Sequence, residues 1–247
     1  MKRVYGWRKD THDQRDLKFL YTFPNHLPLK VDLRHHCPPV YDQGSLGSCT
    51  ANAIAGQYDF CRIKAGLPPI TPSRLFIYYN ERDMEGTVDY DAGAQIRDGI
   101  KSVAQLGVCE EICWPYDTKK FDKKPNPECY DRAMDHQSIT YASLRADLRS
   151  IKNCLAGGFP FVFGFTVYES FEGKTIAETG LMPFPGKKEK PIGGHAIEGV
   201  GYNDLTKTLI CRNSWGGGWG DKGYFYMPYD VITRGMCHDF WVIRRVE

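Results

Sequence analysis

Between residues 50 and 61 the positions Thr50, Ala53, Ile54, Gln57, Tyr58 and Cys61 recur at intervals of three and four, one face of a 3.6-residue period, and predict a helix. Ser48 stands at its N-cap, Gly66 just past its end and Pro68 beyond, the residue types that start and stop helices. Helical patterns also cover about 73–82 and about 93–106, the second stopping at Gly107. Residues 114–137 are rich in Pro, Lys and Asp and read as a loop, followed by a short helix near 144–155. From Phe159 the texture changes. β-Branched and aromatic runs separated by Gly and Pro predict strands over 161–167, 195–202, 208–213, 223–227 and 240–246. Helices first and strands second predict an α+β fold with a cleft between two lobes. Residues 1–30 are polar with scattered aromatics and read as an extended arm laid over a domain of residues 31–247. The helical lobe of that domain lies mainly in 45–140 and the β lobe mainly in 141–247.

The 247 residues suit one large domain or two small lobes around shared cores. A net charge of +2 carries no electrostatic footprint for nucleic acid or a membrane surface. The longest apolar run, around 159–165, is far too short to span a bilayer. The basic N-terminus is followed by no apolar stretch of signal-peptide length, which favours a cytoplasmic protein, with secretion by another route as the alternative. Nine cysteines, an odd number in a chain this long, do not make a disulfide scaffold. Cys109 and Cys113 form a C-x₃-C pair with no partner pair at zinc-like spacing, so no metal site is expected.

Candidate chemistry sits at the start of the first helix. Cys49 follows Ser48 there, where unpaired N–H groups and a partial positive charge stabilise a thiolate. Gln43, in a Gly-rich turn six residues upstream, can place an amide N–H beside the Cys49 backbone N–H as an oxyanion hole. His195 lies in a strand between glycines, a rigid mount for a base. Asn213 offers an oxygen that can accept the second imidazole N–H, and the adjacent Trp215 can cover that bond from water. The glycine run after Trp215 lacks the Gly-Lys-Ser/Thr ending and the strand–loop–helix setting of a phosphate loop. Taken singly, the other eight cysteines read as small buried hydrophobes.

The blocks Gln43-Gly44-Ser45-Leu46-Gly47-Ser48-Cys49, Gly194-His195-Ala196 with Val200-Gly201-Tyr202, and Asn213-Ser214-Trp215-Gly216 through Trp219-Gly220 to Gly223-Tyr224 stand in that order. Together they resemble the papain-like cysteine peptidases, over about residues 31–247. His195 falls within the roughly 130–150 residues expected between Cys and its downstream partners, and Asn213 slightly beyond. The resemblance implies a helical lobe and a β-barrel-like lobe with the active site in the cleft. It assigns Cys49, His195 and Asn213 as a catalytic triad and Gln43 to the oxyanion hole. It makes Gly93, in Asp91-Ala92-Gly93-Ala94, a backbone partner for substrate, and Gly194 a second. The common form has Cys where this chain has Leu46, and another where Tyr90 and Asp91 stand, so the disulfide that joins those segments in lysosomal and plant members is absent. The short Tyr5-Gly6-Trp7 arm looks more like microbial branches.

These readings converge on a cysteine peptidase working through a thiolate–imidazolium pair and a thioester intermediate, without cofactor or metal. Its partner is a peptide or protein substrate, with no nucleic acid and no membrane, and the protein is expected to be a monomer. Residues 1–27 are long enough to lie across the cleft and inhibit the enzyme. An acyl transferase or peptide ligase on the same site, and a catalytically silent peptide-binding module, are the alternatives.

Overall fold

The computed structural model describes residues 3–20, 26–68 and 70–246, so Tyr21 and Phe23 of the expected arm lie outside the described residues. In chain order the elements are β1 (Trp7–Arg8), β2 (Lys30–Asp32), α1 (Cys49–Lys64), α2 (Arg74–Glu85), β3 (Ala94–Gln95), α3 (Ile96–Leu106), α4 (Pro127–Ala133), β4 (Ser138–Leu144) and α5 (Leu148–Ala156). There follow β5 (Phe161–Tyr168), α6 (Lys174–Thr179), β6 (Pro191–Asn203), β7 (Thr208–Arg212), β8 (Tyr224–Pro228), α7 (Tyr229–Thr233) and β9 (Cys237–Val246).

The helix predicted from residue 50 is α1, but it is buried on every side from Cys49 to Arg62 rather than along one face. It runs between α2 and α3 on one side and β6 and β9 on the other. Its polar residues are therefore satisfied inside. Gln57 donates to the Pro160 carbonyl at 2.7 Å, and Asn52 to that of Ser48 at 2.9 Å. Ser48 occupies the N-cap without capping, because its hydroxyl pairs with that of Tyr116 at 2.5 Å. Beyond Ala65, Gly66 takes φ +68°, the left-handed residue that ends the helix. α2 starts on a Ser73 side chain that accepts the Phe76 N–H and ends at Gly86 with φ 67°.

Two expectations need correction. The 114–137 segment holds α4, started by Pro127 at its first turn after Asn126. The 144–155 helix begins only at Leu148, because Leu144 closes β4, a strand not anticipated. The strands form a seven-stranded antiparallel sheet in the order β4-β9-β5-β6-β7-β8, with β2 added beside β6 off that path. One buried cluster packs α1, α2 and α3 together and reaches Val162, Ala196, Trp241 and Ile243 of the sheet. A second fills the β lobe around Phe161, Phe163, Phe165, Phe225 and Phe240. Each such ring contributes on the order of 1.5–3 kcal/mol by leaving water. The lobes meet where α1 faces β6, which carries His195 opposite Cys49.

Candidate active site

Three elements bring the predicted residues together. Cys49 is the first residue of α1, His195 lies within β6, and Asn213 follows the last residue of β7. β6 and β7 are hydrogen-bonded with Glu198 opposite Arg212, which fixes the two side chains on neighbouring strands. Asn213 Oδ1 lies 2.8 Å from His195 Nε2 and also accepts the Ser214 N–H at 2.9 Å. The carboxamide is thus held with its oxygen toward the ring, which places the imidazole proton on Nε2. Nδ1 is buried and has no hydrogen-bond partner among the described residues. Trp215 lies against the imidazole, 5.2 Å between centroids and 26° between planes, and Phe165 and Phe171 complete the wall.

The Cys49 sulfur accepts the Ala196 N–H at 3.4 Å, and the N–H groups of Gly6 and Thr50 also point to it. Burial outweighs these donors and pushes the thiol up to about 11. Burial likewise pulls His195 down to about 4, against the Asn213 hydrogen bond that favours its charged form. Both groups are fully enclosed. The cover thus disfavours the charged form of each group, against the ion pair expected of the free site.

The cover is the N-terminal arm. β1 pairs in parallel with β3, Trp7 beside Ala94, and the Gly6 carbonyl accepts the Ala94 N–H at 2.8 Å. Gly6 occupies a slot one backbone wide: a Cβ on Gly6 would overlap the Gly47 carbonyl, and one on Gly93, at φ +65°, would overlap the Gly6 carbonyl. Gly194 has no side chain where the Trp7 ring and carbonyl approach. Gln43 is fully buried, its oxygen accepting from the Ser214 hydroxyl at 2.6 Å. Its amide nitrogen donates to the Leu46 carbonyl at 2.9 Å and to Val4 of the arm at 3.3 Å. Tyr5 packs on His195 and Trp215 and donates its hydroxyl to Glu172 at 2.7 Å, while the Arg3 guanidinium lies 4.8 Å above the Trp215 ring.

All the sequence-predicted positions (Gln43, Cys49, Gly93, Gly194, His195, Asn213 and Trp215) therefore meet in one cleft. Sequence reasoning missed Ser214 and Phe171, and it named the arm without assigning its contacts. The available signal was Tyr5-Gly6-Trp7, two aromatics about a glycine in an otherwise charged stretch. No group of His, Cys, Asp and Glu among the described residues could hold a metal ion.

Comparison with known proteins places this arrangement. The profile of the papain family of cysteine proteases matches residues 27–239. An uncharacterized peptidase C1-like protein of Acanthamoeba polyphaga mimivirus is 47% identical, over 100% of this chain and 88% of its own length. The crystal structure of xylellain, a cysteine protease from Xylella fastidiosa, superposes with a TM-score of 0.91 at 44% identity, covering 98% of this chain and 96% of xylellain. Procathepsin B S9 from Trypanosoma congolense, at 18% identity, shares the fold, with a TM-score of 0.78 over 97% of this chain and 85% of its own. A profile that spans most of the sequence and a relative nearly half identical along all of it lead to one conclusion: the chain belongs to the papain family of cysteine proteases and is a cysteine peptidase, a hydrolase acting on peptides or proteins.

Proposed function

We propose that Cys49 is the nucleophile, His195 its acid–base partner and Asn213 the residue that orients the imidazole, and that the arm holds this site shut. With the arm displaced, water reaches the cleft and the burial that disfavours the charged form of each group is relieved. The proton then passes from the thiol to His195 Nδ1, the ring nitrogen without a hydrogen-bond partner among the described residues. The thiolate attacks the scissile carbonyl, and the oxyanion forms against the Cys49 N–H and the Gln43 amide. Imidazolium gives its proton to the leaving amine, leaving a thioester. Imidazole then takes a proton from water, which attacks the thioester and releases the acid and the free thiol. Trp215 covers the Asn213–His195 bond, and Gly93 and Gly194 leave room for a substrate backbone. In this reading the arm ends near residue 30 and the peptidase domain runs from 31 onward.

The observation that carries this reading is the position of Gly6: its N–H is on the Cys49 sulfur and its carbonyl on the Ala94 N–H, so the arm backbone fills the place a substrate backbone needs. The test is the rate of Cys49 alkylation by iodoacetamide, mapped peptide by peptide against pH, in the full chain and in a Tyr5→Ala/Trp7→Ala variant. The variant is expected to react at Cys49 at least tenfold faster near pH 7, and faster there than at the other eight thiols. Equal Cys49 rates in the two proteins would overturn the lid. In the opened protein, Cys49 reacting like an ordinary thiol would overturn the nucleophile assignment. His195→Ala should cut peptide hydrolysis by about 10²–10⁴-fold, the usual range for a lost acid–base group.

A further inference from the structure

The slot that admits Gly6 has two walls from distant parts of the chain. Gly47 precedes Ser48 and the nucleophile, and Gly93 lies at the end of the loop leading to β3. No disulfide joins these segments: all nine cysteines are free. A polar link joins the walls instead. Asp91 accepts the Gly47 N–H at both carboxylate oxygens, 3.1 and 3.0 Å. The Tyr78 hydroxyl donates to Asp91 Oδ1 and accepts the Gly93 N–H at 3.1 Å. Tyr78 is fully buried on α2, and the Arg82 guanidinium one turn later lies 4.1 Å from its ring centroid. Arg82 also donates to the carbonyls of Val88 and Tyr90 at 2.9 and 3.0 Å. The helix thus holds the loop, and the loop holds the nucleophile turn.

We propose that Asp91 and Tyr78 are positioning residues that clasp Gly47 to Gly93 and so set the width and register of the slot that receives the substrate backbone. The inference rests on the active-site reading above but concerns neither the nucleophile nor its base. Tyr78 gives the Gly93 N–H its acceptor from inside the lobe, and Asp91 does the same for Gly47. Without them each wall has a backbone N–H that must find another partner. The clasp acts on extended ligands that must enter the slot, not on small reagents that need only the sulfur.

The test compares two probes on the same full-length samples: iodoacetamide, which needs only an uncovered thiol, and an epoxysuccinyl-peptide inhibitor, which must also seat a backbone between the walls. Both require the arm to lift, so the ratio of their second-order rates at Cys49 cancels arm opening. Tyr78→Phe and Asp91→Ala are each expected to lower that ratio about fivefold, the scale of one hydrogen bond to a partly exposed charged group or its donor. Asp91→Asn, which keeps an acceptor for Gly47, should recover part of the loss. Tyr78→Phe keeps the ring and its packing, so it carries the test if Asp91→Ala folds poorly. A ratio within about 1.5-fold of the parent in Tyr78→Phe, whether both rates stay or both fall, would overturn the clasp. Iodoacetamide meeting Cys49 no faster than the other thiols in the opened protein would refute the active-site reading instead.

Discussion

Asp10 stands just past β1 of the arm, and its carboxylate accepts the Trp241 indole N–H at 2.7 Å. Its own backbone N–H donates to Asp239, which also takes the Trp7 indole N–H at 3.1 Å. Two carboxyl groups therefore meet under the docked arm, with Asp98 of α3 adding a third negative charge, while Lys9 and His238 lie beside Asp239. Burial first, and Asp239 second, push Asp10 up to about 7. A free arm would return it to the ordinary value of about 3.9. The docked state therefore holds the Asp10 proton more tightly, so the contribution of Asp10 to docking is fully present below about pH 4 and is lost as pH rises toward 7, opposite in sign to that of His195, which docking pulls down. Asp10→Asn, which cannot ionise, should dock as the protonated form does. The ratio of Cys49 alkylation in the parent to that in Asp10→Asn should be near one at pH 4 and at least tenfold by pH 7. A flat ratio would remove Asp10 from control of the arm. None of this was legible in the sequence, since Asp10 and Asp239 are neighbours only after the arm has folded back on β9.

Helix α1 shows why periodicity located an element and misjudged its surroundings. Its start, its end and its 3.6-residue repeat were all readable, yet it is buried all round because both lobes close on it. Sequence could not show that Gln57 and Asn52 would find partners within the interior. Gly56 is an example with an energetic consequence. A Cβ there would overlap the Arg212 guanidinium and come within 3.0 Å of Glu198 Oε2, a fully buried pair separated by 3.8 Å. Gly56→Ala is expected to lose about 1–3 kcal/mol of stability in denaturant titration, despite alanine's better helix propensity, because the buried pair has little room to retreat. A stabilised variant would show that the pair can move. The missed β4 has the same origin as the misread helix. Its partner β9 is at the far end of the chain, and two register shifts break its alternation near Ser138 and Thr140. α4 could have been found, because proline at a first helical turn is a start signal, but it was hidden in a run of Lys and Pro.

Across the whole molecule, what was legible was the family and the residues that meet in its cleft, because Cys49, His195 and Asn213 stand in short, distinctive blocks. What was not legible was how the chain's first residues would use the site those blocks build. The fold that joins them relies on packing and hydrogen bonds rather than disulfides. Nine cysteines stay as thiols, seven of them buried. Melting temperatures measured with and without a reductant should agree within about a degree. A fall with reductant would reveal a covalent link that this architecture does not contain.

The arm that fills the cleft is anchored further along by the bonds of Arg97 and Lys101 to Asp16, by its bridge from Lys18 to Ser143, and again where β2 joins β6. Its local concentration at Cys49 is thus set by the chain's own length and not by how much protein is present. For short flexible tethers that effective concentration is about millimolar. Dilution, which frees an enzyme from a separate inhibitor, leaves such an occupant in place. The same segment supplied as a detached peptide would have to reach comparable levels in solution to compete. Cutting the chain between the anchors would change the order of the reaction, turning a concentration-independent closure into an ordinary bimolecular one.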